Sequence, residues 1–224
     1  MSHATLSRRQ FIQLASGMTF AVVLPQARGE IEWGTHYVPV SRPQPQAADG
    51  KIEILEFFSY TCPHCYHLEA TIGPWSRRLP QDVAFRRVPV TFNEAAKFMA
   101  RVFYAADAMS LREKLHLRLF AAIHDEHLPL VREEALLDWM ASQGVDRKKF
   151  ADMMNAFTMQ GQVARATQLM TACDIHSVPA VVVGGKYLTS AAQAGSQEVL
   201  PRVMDELILL VKSETSTKDV TRGR

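Results

Sequence analysis

The chain has 224 residues, 47% of them hydrophobic and 21% charged, with 25 basic side chains against 23 acidic ones and three cysteines. That supports one sizeable core, or one domain carrying an insertion, and excludes a mainly disordered chain. No run of about 18 uninterrupted apolar residues argues for a membrane span, and three cysteines are too few for a disulfide scaffold at this length.

Residues 1–29 differ from the rest. Basic and polar "SRRQ" runs into "FIQLASGMTFAVVLPQARG", the outline of an export signal peptide, with a short amphipathic helix that stays attached as the alternative. Arg8 and Arg9 ahead of Phe11, and an apolar stretch broken by Gln13, Ser16, Gly17 and Thr19, resemble a twin-arginine signal. Cleavage is expected after Ala27-Arg28-Gly29, with Pro25-Gln26-Ala27 as the weaker alternative. Removal takes three arginines and no acids, so 25 basic residues become 22 against 23 acidic. A near-neutral mature chain has no basic footprint for nucleic acid, and no basic amphipathic helix suggests a membrane surface. Proteins or small molecules are the expected partners, in an oxidising compartment.

Further along, "EIEWGTHYVPV" alternates weakly and leads into the loop "SRPQPQAADG". "KIEILEFFSY" reads as a buried strand. From Cys62-Pro63 a helical pattern places Cys65, Leu68, Ile72 and Trp75 three or four residues apart, with Pro74 expected to kink it. "DVAFRRVPVTF" reads as a second strand. Glu94 to Met170 is a helical block, with Val102, Ala105, Ala106 and Met109 on one face and Leu115, Leu119 and Ala122 on another. Gly144 and Asp146 mark a helix end and a helix cap. "SVPAVVVGGKYLTS" is a hairpin about Gly184-Gly185, "SQEVLPRVMDELILLVKSE" a closing helix, and no internal repeat appears.

These elements predict an α/β chain, a thioredoxin-like fold with an inserted all-helical domain, since the cysteine pair sits at the first strand-to-helix turn. The expected division is 30–92 with 171–212 as the thioredoxin-like part, 93–170 as the helical insertion, and 213–224 as a polar, disordered tail.

"SYTCPHCYHLE" carries the chemistry. Cys62 is expected at the N-cap, with Pro63 at the first helical position, where its missing N–H costs nothing. Its thiolate then faces free backbone N–H groups and the positive helix end, so its pKa should fall below about 8.5; a protonated or donating His64 would lower it further. Cys65, three residues on, is expected to be buried and resolving. A stabilised thiolate is a good leaving group, which makes the corresponding disulfide readily reduced. Competing readings remain. A zinc or copper site could use Cys62, Cys65 and His64 or His67, though no second Cys-x-x-Cys or His pair completes a shell. Haem attachment requires His where Tyr66 stands, and a purely structural disulfide over so short a loop would stabilise little.

"EFFSYTCPHCYHLE", with "SVPAVVVGGKY" far downstream, resembles the DsbA family of periplasmic thiol-disulfide oxidoreductases over nearly all of residues 46–212. The resemblance implies a periplasmic dithiol oxidase acting through its own Cys62–Cys65 disulfide, with no dissociable cofactor and no metal. It implies reduced, folding exported proteins as substrates and a DsbB-like membrane protein as the reoxidising partner. It also implies a cis Pro179 facing the cysteine pair, with Val178's backbone available to an extended substrate chain, and a buried Glu56 near the resolving sulfur. The family's lysine opposite that acid is here Phe85-Arg86-Arg87-Val88, and arginine does not give up its proton. With no dimerisation segment ahead of the thioredoxin-like region, a monomer is expected, and a reductase or isomerase kept reduced is the rival. His67 is expected on the surface, and Cys173 as a buried, inert thiol.

Overall fold

The computed structural model describes residues 31–45 and 49–222. The expected export segment, with its cleavage site, lies outside the described residues. The elements are, in chain order, β1 (Val38–Pro39), β2 (Ile52–Phe58), α1 (Pro63–Ser76), β3 (Val83–Pro89), α2 (Glu94–Ala108), α3 (Arg112–His124), α4 (Glu133–Ser142), α5 (Arg147–Met154), α6 (Phe157–Ala172), β4 (Ala180–Val183), β5 (Tyr187–Thr189), the single turn α7 (Ala191–Ala194) and α8 (Leu200–Arg222).

A five-stranded sheet runs in the order β1-β5-β4-β2-β3. β2 lies inside it, parallel to β3 and antiparallel to β4. Helices cover both faces, which is why "IEILEFF" is apolar on alternate and intervening positions alike. On one face Ile52 and Ile54 join Val181 and Val183 against Leu68 and Ile72 of α1 and Met204 and Leu207 of α8. Trp75 ties the two helices by donating from Nε1 to Asp205 at 2.9 Å. On the other face Leu55, Phe57, Val88 and Val182 meet Ala166, Cys173 and Ile175 at the end of α6. Phe58, the last residue of β2, leaves the sheet's own cores for a third one, built by α2 to α5 around Phe103, Leu115, Phe120 and Met140. The helical block therefore packs on the end of the strand that leads to Cys62.

Local signals act as their chemistry requires. Asn93 caps α2 by accepting from Ala96 N, and Asp146 caps α5 by accepting from Lys149 N. Pro74 lies in the last turn of α1, which ends at Ser76. The expected disordered tail needs correction: α8 continues through it to Arg222. Glu214 accepts from both Lys186 and Tyr187 of the hairpin, which pins the helix beyond its apolar stretch. No helix among the described residues is long and apolar enough to cross a membrane.

The hairpin turn depends on glycine twice over. Gly185 has φ +65, and an added Cβ would lie 2.4 Å from the Gln44 carbonyl oxygen, whose own N–H donates to the Gly185 carbonyl at 2.8 Å. Gly144, at φ +78, has open space around that position. Both Gly→Ala changes incur the left-handed cost of roughly 1–2 kcal/mol, but only Gly185→Ala must also displace backbone. Urea unfolding should show Gly185→Ala as the more destabilising of the two, and equal losses would mean that the Gln44 contact does not hold in solution.

Candidate active site

β2 ends at Phe58, and a three-residue turn, Ser59-Tyr60-Thr61, delivers Cys62 to the N-cap of α1 with φ −96 and ψ 114 and Pro63 in the first turn. Cys62 N donates to Ser59 O at 3.1 Å, and Cys62 O accepts from Cys65 N and Tyr66 N at 3.1 and 3.2 Å. The main chain around Cys62 is thus fixed on both sides, while its sulfur is left half-buried at the helix's positive end. Both cysteines are thiols. Cys62 Sγ donates to the Val178 carbonyl at 3.6 Å across 116 residues, and the Val178–Pro179 bond is cis. The start of β4 is therefore brought against the exposed face of the cysteine pair.

The two sulfurs differ sharply. The Cys65 thiol donating to Cys62 lowers the Cys62 pKa to about 6, opposed by burial and helped by the backbone N–H groups of Cys65 and His64 and by the His64 charge. Cys65 moves the opposite way: its thiol is held protonated by that same bond, by burial, and by the charges of Cys62 and Glu56. His64 is exposed, its carbonyl accepting from Gln197 Nε2 at 3.0 Å. His67 is exposed. Cys173 is fully buried, its thiol pushed up to about 11 by burial and the Glu53 charge, as expected of an inert core thiol. Among the described residues, no three His, Cys, Asp or Glu side chains gather as a metal shell.

Beneath the pair lies a chain of buried polar groups. Glu56 is fully buried and faces Arg87, its register partner on β3, with Arg87 Nε 3.1 Å from Oε2. Arg86 instead reaches out to Glu53. Arg87 spends its hydrogen bonds elsewhere: Nε and Nη2 donate to Glu69 at 3.0 and 2.7 Å. Glu69 also accepts from His116 Nε2 at 2.9 Å, and His116 Nδ1 meets the Tyr60 hydroxyl at 2.8 Å. Neither oxygen of Glu56 has a hydrogen-bond partner. Burial, reinforced by the Glu69 charge and opposed by Arg87, raises the Glu56 pKa to about 8.

Sequence reasoning placed Cys62, Pro63, His64, Cys65, Val178, Pro179 and Glu56, and the fold brings them together, with Arg87 rather than Arg86 opposite the acid. Glu69, His116 and the gripping role of Tyr60 escaped it. A signal existed for Glu69, since it falls four residues after Cys65 and three before Ile72, on the stripe that α1 buries. His116 lies directly after Leu115 on the buried side of α3.

A mixed sheet with a cysteine pair at its first strand-to-helix turn, a facing cis-proline and an inserted helical block defines a thioredoxin-like redox protein. The profile of the DSBA-like thioredoxin domain matches residues 53–200, and the chain belongs to that family. The thiol:disulfide interchange protein DsbA of Bordetella parapertussis is 39% identical over 210 residues, 93% of this chain and 98% of that protein. Its Pseudomonas aeruginosa counterpart is 40% identical over 175 residues, 78% of this chain and 83% of that one. The crystal structure of Pseudomonas aeruginosa DsbA superposes with a TM-score of 0.78 at 38% identity, covering 84% of this chain and 97% of that one.

The Cys62 shift carries a pH signature. Because its folded pKa, about 6, lies below the ordinary thiol value of 9.0, the reduced fold binds fewer protons than the unfolded chain between those values. Thiolate stabilisation is therefore complete above pH 9 and lost as pH falls through about 6. Relative to Cys62→Ser, the reduced protein should gain stability steadily from pH 6 to pH 9. Thiolate absorbance near 240 nm should titrate near pH 6 and vanish in that variant; a midpoint near 9 would remove the basis for both.

Proposed function

We propose that the chain is a dithiol oxidase that hands its Cys62–Cys65 disulfide to reduced, folding proteins after export. The observation that carries this reading is the contrast between a half-buried, acidic Cys62 thiol and a buried Cys65 thiol that keeps its proton. A thiolate stabilised in the dithiol form favours that form, so the disulfide form gives up its bond readily.

Transfer begins with a substrate thiolate attacking Cys62 Sγ, the sulfur open to solvent. A mixed disulfide forms there, the Cys62–Cys65 bond breaks, and its electron pair leaves on Cys65, which takes up a proton. A second substrate thiolate then attacks the substrate sulfur of the mixed disulfide and expels Cys62 as its stabilised thiolate. The substrate has lost two electrons to the cysteine pair and gained a disulfide. Val178 and Pro179 line the approach, where an extended substrate chain can pair with exposed backbone. Pro63 and His64 set the leaving ability of Cys62, and Glu56 is positioned to supply the Cys65 proton.

The cysteine pair is its own redox centre, and no dissociable cofactor enters the cycle. Reoxidation falls to a DsbB-like, quinone-linked membrane partner, and the enzyme works as a periplasmic monomer. Arg8-Arg9 assign export to the twin-arginine route, so replacing both by Lys should stop periplasmic appearance; unimpeded export would place the protein on the general secretory route instead.

Equilibration with glutathione, followed by tryptophan fluorescence, measures the direction of transfer. A potential above that of protein disulfide isomerase, about −180 mV, is expected for a donor. A value near that of thioredoxin, about −270 mV, would mean a reductant. In Cys65→Ser, a glutathione adduct at Cys62 should persist where the native pair resolves it.

A further inference from the structure

Glu56, Arg87, Glu69 and His116 form a closed set of buried charges whose sum can be zero in two ways. With Arg87 a permanent cation and Glu69 ionised, neutrality requires either a protonated Glu56 with neutral His116, or an ionised Glu56 with His116 protonated. The geometry accommodates both. Arg87 Nε lies 3.0 Å from Glu69 Oε1 and 3.1 Å from Glu56 Oε2, between the two acids. His116 Nε2–H donates to Glu69 in either state, and the Tyr60 hydroxyl at Nδ1 can donate to the neutral ring or accept from the charged one. The His116 end of the cluster keeps its hydrogen bonds in both seatings, while Glu56, whose oxygens have no hydrogen-bond partner, keeps only its ion-pair contact with Arg87.

Access differs at the two ends. Glu56 is sealed beneath Cys65, with Val181 of β4 opposite it and no further charge from that strand. Glu69, Arg87 and His116 line a cavity of about 930 Å³, together with Arg77, Arg112 and Glu113. We propose that the cluster carries one exchangeable proton seated on Glu56 or on His116, and that His116 Nδ1 gains a proton from solvent, relayed by the Tyr60 hydroxyl that faces it, as Glu56 gives one to the leaving Cys65 sulfur. This deepens the oxidase reading and rests on it.

The step balances. The substrate thiolate forms its bond to Cys62, the electron pair of the broken disulfide resides on Cys65, and the Glu56 proton neutralises it. The cluster is left one charge short until His116 gains a proton from solvent. His116 is a positioning residue: it touches neither sulfur and acts through Glu69 and Arg87. The groups facing it are Glu69 from α1, Arg87 from β3, Tyr60 from the turn after β2, and Arg112 on its own helix, itself paired with Asp107 of α2. At rest the proton sits on Glu56. Burial first, with Arg87 and Arg112, holds His116 below the ordinary histidine range against the pull of Glu69, whereas Glu56 is raised.

The test reads His116 directly. In the full chain with isotope-labelled histidines, its imidazole signal, assigned through contacts to the Tyr60 ring, is titrated in the native protein and in Glu56→Gln. Because Glu56 still holds its proton while His116 first titrates, the coupling should show as a second step of the imidazole signal near pH 8, where Glu56 ionises, and Glu56→Gln should abolish that step; a single step of the same shape in both proteins overturns the proposal. In His116→Gln, the rate of oxidising a dithiol peptide relative to native should fall about tenfold further at pH 8 than at pH 5.5. A ratio that stays flat with pH, whatever its size, overturns it. A native protein that fails to oxidise the peptide would sink the oxidase reading alone, because the imidazole titration needs no turnover and also decides the case if His116→Gln does not fold.

Discussion

Cys62 caps α1 with its sulfur, and the behaviour of the site depends on how differently that sulfur and Cys65 are housed. One helical turn separates a half-buried thiol pulled to about 6 from a buried thiol that keeps its proton. The hydrogen bond between them acts on both, because a donor that stabilises one thiolate must itself stay a thiol. Everything nearby sustains the asymmetry: Ser59 fixes the turn, Pro63 removes a surplus N–H from the first helical position, and Val178 closes over one side of Cys62.

Burying Glu56 directly below such a pair is costly unless its charge is matched or absent. The protein does neither completely. Arg87 is close enough to be a counter-ion, yet its guanidinium forks onto Glu69 and leaves both Glu56 oxygens without a hydrogen bond. A lysine's single ammonium could not hold Glu69 through two parallel bonds while remaining in contact with Glu56. Arg87 also lies 5.1 Å over the Phe85 ring, which keeps its plane fixed as the strand side chains alternate. Breaking such a buried pair by removing one partner typically costs about 3–5 kcal/mol, so the cluster is held by structure even though one member is incompletely satisfied.

Local chemistry made most of the architecture legible in the residues themselves. The apolar run of β2, the caps Asn93 and Asp146, the glycine pair of the hairpin and the cysteine pair at a strand-to-helix turn each announce their conformation over a few positions. Glu56 was readable because strand alternation puts it beside Ile54 and Phe58. The partnership of Glu69 with His116, 47 residues apart, and of Tyr60 with His116, 56 residues apart, had no local trace. A lone histidine between leucines looks the same in sequence whether it is a core filler or a charge carrier. The tail misled for a related reason: "KSETSTKD" reads as polar and loose, and the hairpin residues that hold Glu214 lie 27 and 28 positions back.

The helical block does more than cover the sheet's end. From α3, His116 holds the Tyr60 hydroxyl and His124 holds the Tyr60 carbonyl at 2.9 Å, gripping one residue at both ends from two turns apart. Tyr66, the residue after Cys65, stacks on the His124 ring with centroids 5.4 Å apart and on Phe120 at 5.6 Å. Both flanks of the Cys62–Cys65 segment are therefore fastened to one helix of the insertion. A shift of α3 by a single turn, about 5.4 Å, would release both, and the cap geometry of Cys62 depends on that turn. The described residues cluster as one compact unit, as this arrangement demands: the sulfurs' environment is made jointly by the sheet, α1 and α3, and none of the three supplies it alone.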